Sequence, residues 1–313
     1  MSNQSPHSSL PESELSWCQA KLKRLTDNIH LALRGQDAAV ELTVICFLAA
    51  GHLLIEDVPG VGKTTLASAF AKSLGLEHRR IQFTSDILPS DILGVSIYDP
   101  KSEQFVFHEG PIFTQILLAD EINRAEPRAQ SALLEAMFER QVSIDGVTRP
   151  IPSPFMVIAT QNPVDFSGTF PLPDSQLDRF LFCISMGYPD EDDERTILLK
   201  STQQATLSPV LNGEDIQRLL DDVDKVFASE DILDRILRLV HATRNHADIL
   251  QGASTRAMID MLKAARARAL YHQRDFVLPD DLTALAPTVL AHRIRLAARA
   301  GSDARAMIKT MIR

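Results

Sequence analysis

Between residues 52 and 74 the chain passes through an apolar run, a turn punctuated by Gly and Pro, and a helical pattern. That order constrains the fold more than any other feature. The turn is Asp57-Val58-Pro59-Gly60-Val61-Gly62-Lys63-Thr64-Thr65. It follows the apolar run His52–Asp57, and Lys63–Leu74 then places Leu66, Phe70 and Leu74 on one stripe at helical spacing. A strand, a glycine-rich turn and a helix start are the setting of a phosphate-binding loop. Glycines let backbone N–H groups close on phosphate oxygens, and the helix start adds the positive end of its dipole. A lysine then reaches the β- and γ-phosphates. Pro59, Gly60, Val61, Gly62, Lys63, Thr64 and Thr65 are thus the candidate phosphate-binding residues, with Thr64 holding Mg²⁺. The usual pattern begins with a glycine where this chain has Asp57, so the strict expression fails at its first position.

Four further apolar runs have strand length: His78–Phe83, Gln115–Asp120, Phe155–Thr160 and Arg179–Ile184. Near-continuous apolar runs suit strands buried on both faces, as in parallel sheets. A helical pattern lies between the third and fourth of the five, where Ala129–Glu139 carries Leu133, Leu134, Met137 and Phe138 on one face. Alternating strands and helices predict a parallel α/β core. The segment QVSIDGVTRPIP predicts a hairpin at Asp145-Gly146, a preferred two-residue turn. From Tyr188 the pattern becomes helical to the end, opening on the acidic block Asp190–Glu194. Ile232, Ile236, Leu239 and Val240 share a face there, and so do Met258, Met261, Leu262 and Ala265. The expected division is a disordered, polar lead-in over 1–19, an α/β core over 20–187 and an all-helical domain over 188–313.

The third strand ends in Asp120-Glu121, 57 residues after Lys63. Beside a phosphate loop, such a pair divides the work: Asp120 reaches the Mg²⁺ shell and Glu121 polarises the attacking water. Asn162 follows the fourth strand and is placed to bond the water or the γ-phosphate, although Asn162-Pro163 also reads as a simple turn. Arg179 precedes the last strand, and Arg256 lies just inside a helix whose N-cap is Ser254. A planar, permanently charged guanidinium suits either arginine to a developing phosphate charge, and spacing alone leaves a surface ion pair equally open.

Composition limits the alternatives. The 313-residue chain is 45% hydrophobic and 23% charged, ordinary for a globular protein of about two domains. Its net charge of −9 disfavours nucleic acid as a partner. Residues 254–313 hold 11 Lys and Arg against 5 Asp and Glu, a net of +6 that leaves −15 for the rest. Opposite poles of this kind suit association with another copy. Cys18, Cys46 and Cys183 lack metal-ligand spacing and suit a reducing cytoplasm. The most apolar stretch, Thr43–Ile55, has 13 residues, too short to span a membrane, and the N-terminus lacks the order of a signal peptide.

Together, DVPGVGKTTLA, LLADEINRA, ATQNPVDFSGTFPLPDSQLDRF and GASTRA resemble the MoxR family of AAA+ ATPases, in order and spacing from about Leu31 to Arg295. The resemblance implies a P-loop core of ASCE type with a helix-2 insert, a helical lid, ATP with Mg²⁺, and assembly as a ring, usually a hexamer. By the same resemblance, Gln36 lies near the adenine, and Lys63, Thr64, Asp120 and Glu121 form the two Walker motifs. Asn162 matches the first sensor, Arg179 the arginine finger and Arg256 the second sensor, while Arg124 is a further candidate to face a neighbour. The segment Gln82–Gly110 matches the insert, a hairpin pointing to the ring pore, or else an ordinary surface hairpin. The implied function is chaperone-like remodelling of a partner, typically one with a von Willebrand factor A domain. The alternatives are a nucleotide-gated scaffold with little hydrolysis and a DNA-acting motor.

Overall fold

The computed structural model describes residues 10–162, 168–200, 206–298 and 303–312. Two helices, α1 (Glu12–His30) and α2 (Asp37–Leu48), precede the strand β1 (Leu53–Glu56). Then come α3 (Lys63–Leu74), β2 (His78–Gln82), a short α4 (Pro89–Leu93), β3 (Gly94–Asp99) and β4 (Gln104–Glu109). The middle of the chain forms β5 (Ile116–Asp120), α5 (Pro127–Glu139), β6 (Gln141–Ile144), β7 (Val147–Pro150), β8 (Met156–Gln161), α6 (Asp174–Leu177) and β9 (Phe182–Ile184). The C-terminal part holds α7 (Glu191–Lys200), α8 (Gly213–Lys225), α9 (Glu230–Asn245) and β10 (Ile249–Gln251). It continues through α10 (Thr255–Tyr271), α11 (Pro279–Leu290), β11 (Arg295–Leu296) and α12 (Ala304–Ile312).

The five apolar runs of the sequence are the five strands of one parallel sheet, in the order β2-β5-β8-β1-β9. Alternate residues along each strand point to opposite faces. Leu53 and Ile55, Ile116 and Leu118, and Met156 and Ile158 therefore pack with α1–α3 and the C-terminal helices in one continuous core. Leu54, Leu117, Val157 and Cys183 face the other side, where α5 buries Leu133, Leu134 and Met137. Phe138 departs from its expected place on that face and is 53% exposed at the end of α5. The hairpin β6–β7 turns at Asp145 and Gly146, both at positive φ (52° and 75°), as a two-residue primed turn requires.

The segment between β2 and β5 holds α4 and the antiparallel β3–β4 hairpin. Phe107 packs under Arg149 of β7 (3.9 Å) and against Phe113, whereas Phe105, on the same face but nearer the turn, is exposed and meets Tyr98 edge-on at 5.4 Å. Both faces carry exposed apolar residues: Val95, Ile97 and Val106 on one, Tyr98 and Phe105 on the other.

Two expectations need correcting. The polar lead-in ends well before residue 19: α1 starts at Glu12, behind Pro11, and Glu12 and Glu14 favour the positive end of the helix dipole. Cys18, Leu22, Leu25 and Ile29 then anchor one side of α1 in the core. The C-terminal part is also not wholly helical, because β10 and β11 pair antiparallel. Its helix starts are as the sequence suggests. Ser254 caps α10 by accepting from the Ala257 N–H (3.1 Å), and Asp281 accepts from the Leu278 N–H (2.8 Å) while pairing with Arg268 and Arg274. No helix among the described residues is long and apolar enough to cross a membrane.

His52, at the head of β1, ties three elements together. Its Nδ1 accepts from the Val157 N–H (3.0 Å), which leaves the ring proton on Nε2, facing the Met137 carbonyl (3.3 Å). Burial pushes its pKa down to about 4, with the charge of Arg140 adding to the effect. Burial likewise pushes His292 down to about 3, helped by Arg293. An unfolded histidine takes up a proton near 6.5, so below that pH the unfolded chain binds protons that the fold refuses. Thermal unfolding should therefore shift to lower temperature as pH falls from 7 to 5. The shift should be smaller in a His52→Gln variant, and an equal shift in both would refute this role for the imidazole.

Candidate functional site

The parallel register gathers the sequence candidates at one edge of the sheet. Glu56 is level with Gln161, so the turn after β1 and Asn162 after β8 emerge side by side. Ala119 is level with Ala159, which sets Asp120 beside Thr160. Gly60 and Gly62 have φ of 90° and 97°, a backbone region costly to residues with a Cβ, and Gly62 caps α3. The first N–H groups of α3 have no carbonyl partner within the helix and point into the turn. Pro59, Gly60, Thr64 and Thr65 are exposed, whereas Val61 is buried and anchors the loop.

Lys63 Nζ donates to the Asp57 carbonyl at 2.7 Å. Burial lowers its pKa, and the charges of Asp57, Asp120 and Glu121 oppose that shift, so all three carboxylates act on this one ammonium. The set fits a triphosphate: unpaired backbone donors, a helix N-terminus and a part-buried cation converge on one turn. Thr64 and Asp120 also fit a hydrated Mg²⁺. Thr64 lies in the first turn of α3, and Asp120 Oδ2 already attracts a cation, the guanidinium of Arg80, at 2.8 Å. Thr64 and Arg80 wall the same small cleft between α3 and β2.

Behind Asp120, Thr160 Oγ1 donates to Asp120 Oδ1 (2.9 Å) and accepts from the Glu121 N–H (3.0 Å). Glu121 has φ 56°, unusual for a residue with a side chain, and this hydroxyl helps to hold it there. Its Oε2 accepts from Gln82 Nε2 (2.7 Å) and pairs with Arg124 Nε (3.1 Å). Arg124, a candidate to face a neighbour, thus contacts Glu121 of its own chain. The Asn162 carbonyl accepts from Asn123 Nδ2 at 3.5 Å. Residues 163–167 of the long middle motif lie outside the described residues. Gln36 is buried at the start of α2, and its Nε2 donates to the Gly187 carbonyl (3.0 Å).

Arg179 and Arg256 stand elsewhere. Phe182 of β9 is level with Leu53, four residues before Asp57, or about 13 Å along the strands. Arg179 precedes Phe182, so it lies at the opposite edge of the sheet from the phosphate loop. Both arginines gather over the exposed Phe138 ring, Arg256 at 4.4 Å and Arg179 at 5.8 Å. Phe138 is eleven residues into α5, about 16 Å along that helix from Pro127 near Glu121. Neighbouring groups lock this pair in place. Asp178 accepts from Ser254 Oγ (3.0 Å), and the buried Arg293 bonds both the Phe180 carbonyl (2.7 Å) and Asp260 (2.8 Å).

Sequence reading missed Thr160, Arg80, Gln82 and Phe138. Thr160 carried a weak signal, a lone hydroxyl at the end of an apolar run. Phe138 carried none, because helical spacing placed it with core residues.

Residues 52–182 match the family model described as "ATPase family associated with various cellular activities (AAA)", and residues 241–311 match an AAA lid domain. Protein YeaC of Bacillus subtilis is 46% identical over 93% of this chain and 93% of its own length. Chaperone MoxR1 of Mycobacterium tuberculosis is 42% identical over 90% of this chain and 78% of its own. A crystal structure from Cytophaga hutchinsonii carrying an ATPase assignment superposes with a TM-score of 0.90 at 37% identity, covering 96% of both chains.

Replacing Thr160 with Val removes the hydroxyl that touches both Asp120 and Glu121 and keeps the side-chain shape. ATP turnover should fall by about tenfold or more, since both hydrogen bonds of that hydroxyl are lost, with ADP affinity within about twofold. Steady-state kinetics and calorimetry would measure the two, and unchanged turnover would show that Thr160 positions neither carboxylate.

Proposed function

Because the chain belongs to the MoxR family of AAA+ ATPases, we propose that it remodels a client protein as a ring in which each hydrolytic site is completed by the neighbouring subunit. It is a chaperone-like ATPase with a nucleotide-binding core and an AAA lid. One observation carries the composite reading: Arg179 and Arg256 sit together on Phe138, at the edge of the sheet opposite Lys63, Asp120 and Glu121. An arginine there is too far to serve its own phosphates, and a ring brings that edge to the next subunit's phosphate loop.

In this reading ATP lies against Gly60, Gly62 and Lys63, and Mg²⁺ is held through Thr64 and Asp120. Glu121 orients the attacking water once its carboxylate turns from Gln82 and Arg124, and Asn162 steadies the water or the γ-phosphate. Gln36 borders the adenine from the start of α2. The neighbour's Arg179 neutralises charge on the γ-phosphate, an effect on the order of 10³–10⁵ in rate for trans arginines of GTPases. Arg256 acts beside it, also in trans. Phe138 supports both guanidiniums by cation–π contact. The family resemblance supports a hexamer, a cytoplasmic setting and a client bearing a von Willebrand factor A domain. Of the other readings, a DNA-acting motor fits neither the acidic core nor a relative named a chaperone, and the Asp120–Glu121 pair argues against a scaffold with little hydrolysis. The β3–β4 hairpin, with exposed apolar residues on both faces, is the part of the motor we assign to the client.

Mixing Arg179→Ala subunits with Lys63→Ala subunits should restore part of the ATPase activity that each lacks alone, since some sites then pair an intact loop with an intact arginine. No rescue at any ratio would refute the composite site. Separately, a Tyr98→Ser/Phe105→Ser variant should keep its ATPase rate within about twofold while losing client remodelling, because those rings are exposed and meet each other on the hairpin. A full remodelling rate in that variant would remove the hairpin from the client path.

A further inference from the structure

The departure from the usual phosphate-loop pattern at Asp57 has a structural counterpart. The Asp57 side chain is buried and reaches across to the segment that leaves β9 for α7. Its Oδ2 accepts from Ser185 Oγ (2.9 Å), the Met186 N–H (2.7 Å) and the Gly187 N–H (2.7 Å), and its Oδ1 accepts from the Val58 N–H (2.8 Å). Burial pushes this carboxyl's pKa up, and the bonds from Gly187, Ser185, Val58 and Met186 overturn that push, so it stays ionised below the usual range. Gly187 is gripped from both sides, since its carbonyl accepts from Gln36 Nε2 at 3.0 Å. Four residues later α7 begins, packed so close to Gly35 that a Cβ there would meet Asp193 Oδ2 at 2.7 Å. This segment is the covalent path from core to lid.

A glycine in place of Asp57 would offer none of these acceptors, and three backbone N–H groups, those of Val58, Met186 and Gly187, would lose their partner. The same residue also receives Lys63 Nζ on its carbonyl. A nucleotide di- or triphosphate in the loop draws the lysine ammonium to its β-phosphate oxygens. The Asp57 carbonyl then loses its donor, and the residue is freed to shift, carrying with it the carboxylate that holds Met186 and Gly187. Main chain and side chain of one residue thus meet the nucleotide lysine on one side and the core–lid junction on the other.

We propose that Asp57 is a positioning residue that links occupancy of the phosphate loop to the conformation of residues 185–187 and α7. The inference rests on nucleotide binding at this loop and does not depend on how subunits share the arginines. Linkage makes the coupling reciprocal, so changes at the junction also alter nucleotide affinity.

The test is amide hydrogen exchange on the full chain, with and without ADP, with ADP affinity measured by calorimetry on the same samples. In the wild type, exchange at Met186 and Gly187 should differ by about tenfold between the two states, the scale of one hydrogen bond. In Asp57→Gly, which restores the usual loop residue, ADP should still bind and that difference should vanish. Ser185→Ala removes one donor to Oδ2 and leaves the loop intact, so it should retain part of the difference and decide the matter should Asp57→Gly not fold. A wild type with no ADP-dependent difference at these amides, or variants that keep the full difference, would overturn the proposal. Loss of ADP binding by the wild type would instead contradict the nucleotide site itself.

Discussion

The parallel register of the central sheet is the constraint on which the rest depends. Because β5, β8 and β1 run side by side in the same direction, their C-terminal ends deliver Asp120, Asn162 and the phosphate loop to one edge. The same pairing fixes what cannot be there. β9 joins β1 with Phe182 level with Leu53, so Arg179 enters from the opposite edge. A shift of one residue in this ladder would exchange the two buried faces and break both cores. The division of these side chains between two edges is therefore as firmly set as the fold.

Around that sheet, polar contacts tie neighbouring elements together. Thr160 holds the Asp120–Glu121 pair from β8, and Asp57 holds the core–lid junction from the phosphate loop. Asp178, Ser254 and Arg293 fasten the Arg179 segment to α10 and its surroundings. Buried charged groups are costly unless bonded, and here the Asp57 carboxylate accepts four hydrogen bonds. The lid shares one hydrophobic core with α1–α3.

Much of this was legible in the sequence because its signals were periodic or chemically narrow. All five strand runs join one sheet, Lys63–Leu74 is helical throughout, and Ser254 is the cap the sequence implies. What was illegible had no period to show. β10 and β11 are three and two residues long, too short for alternation to register. The start of α1 was hidden by Ser and Pro composition, although Pro11 followed by Glu12 and Glu14 is a helix-start signal. Phe138 obeyed the helical spacing of its buried neighbours and yet faces outward, because only the tertiary structure shows where the apolar stripe ends. Spacing likewise gave no sign that Asp57, an apparent defect in the loop, bonds residues 185–187, well over a hundred positions away.

The central claim is that one subunit carries two halves of different sites. Its most direct test is turnover per subunit as a function of protein concentration, with assembly followed in parallel by sedimentation and ATP occupancy by filter binding. The account predicts that occupancy persists in dilute, dissociated subunits while turnover per subunit collapses and returns as they assemble. Turnover per subunit that stays constant through dissociation would mean that a lone subunit holds a complete site, contradicting the account.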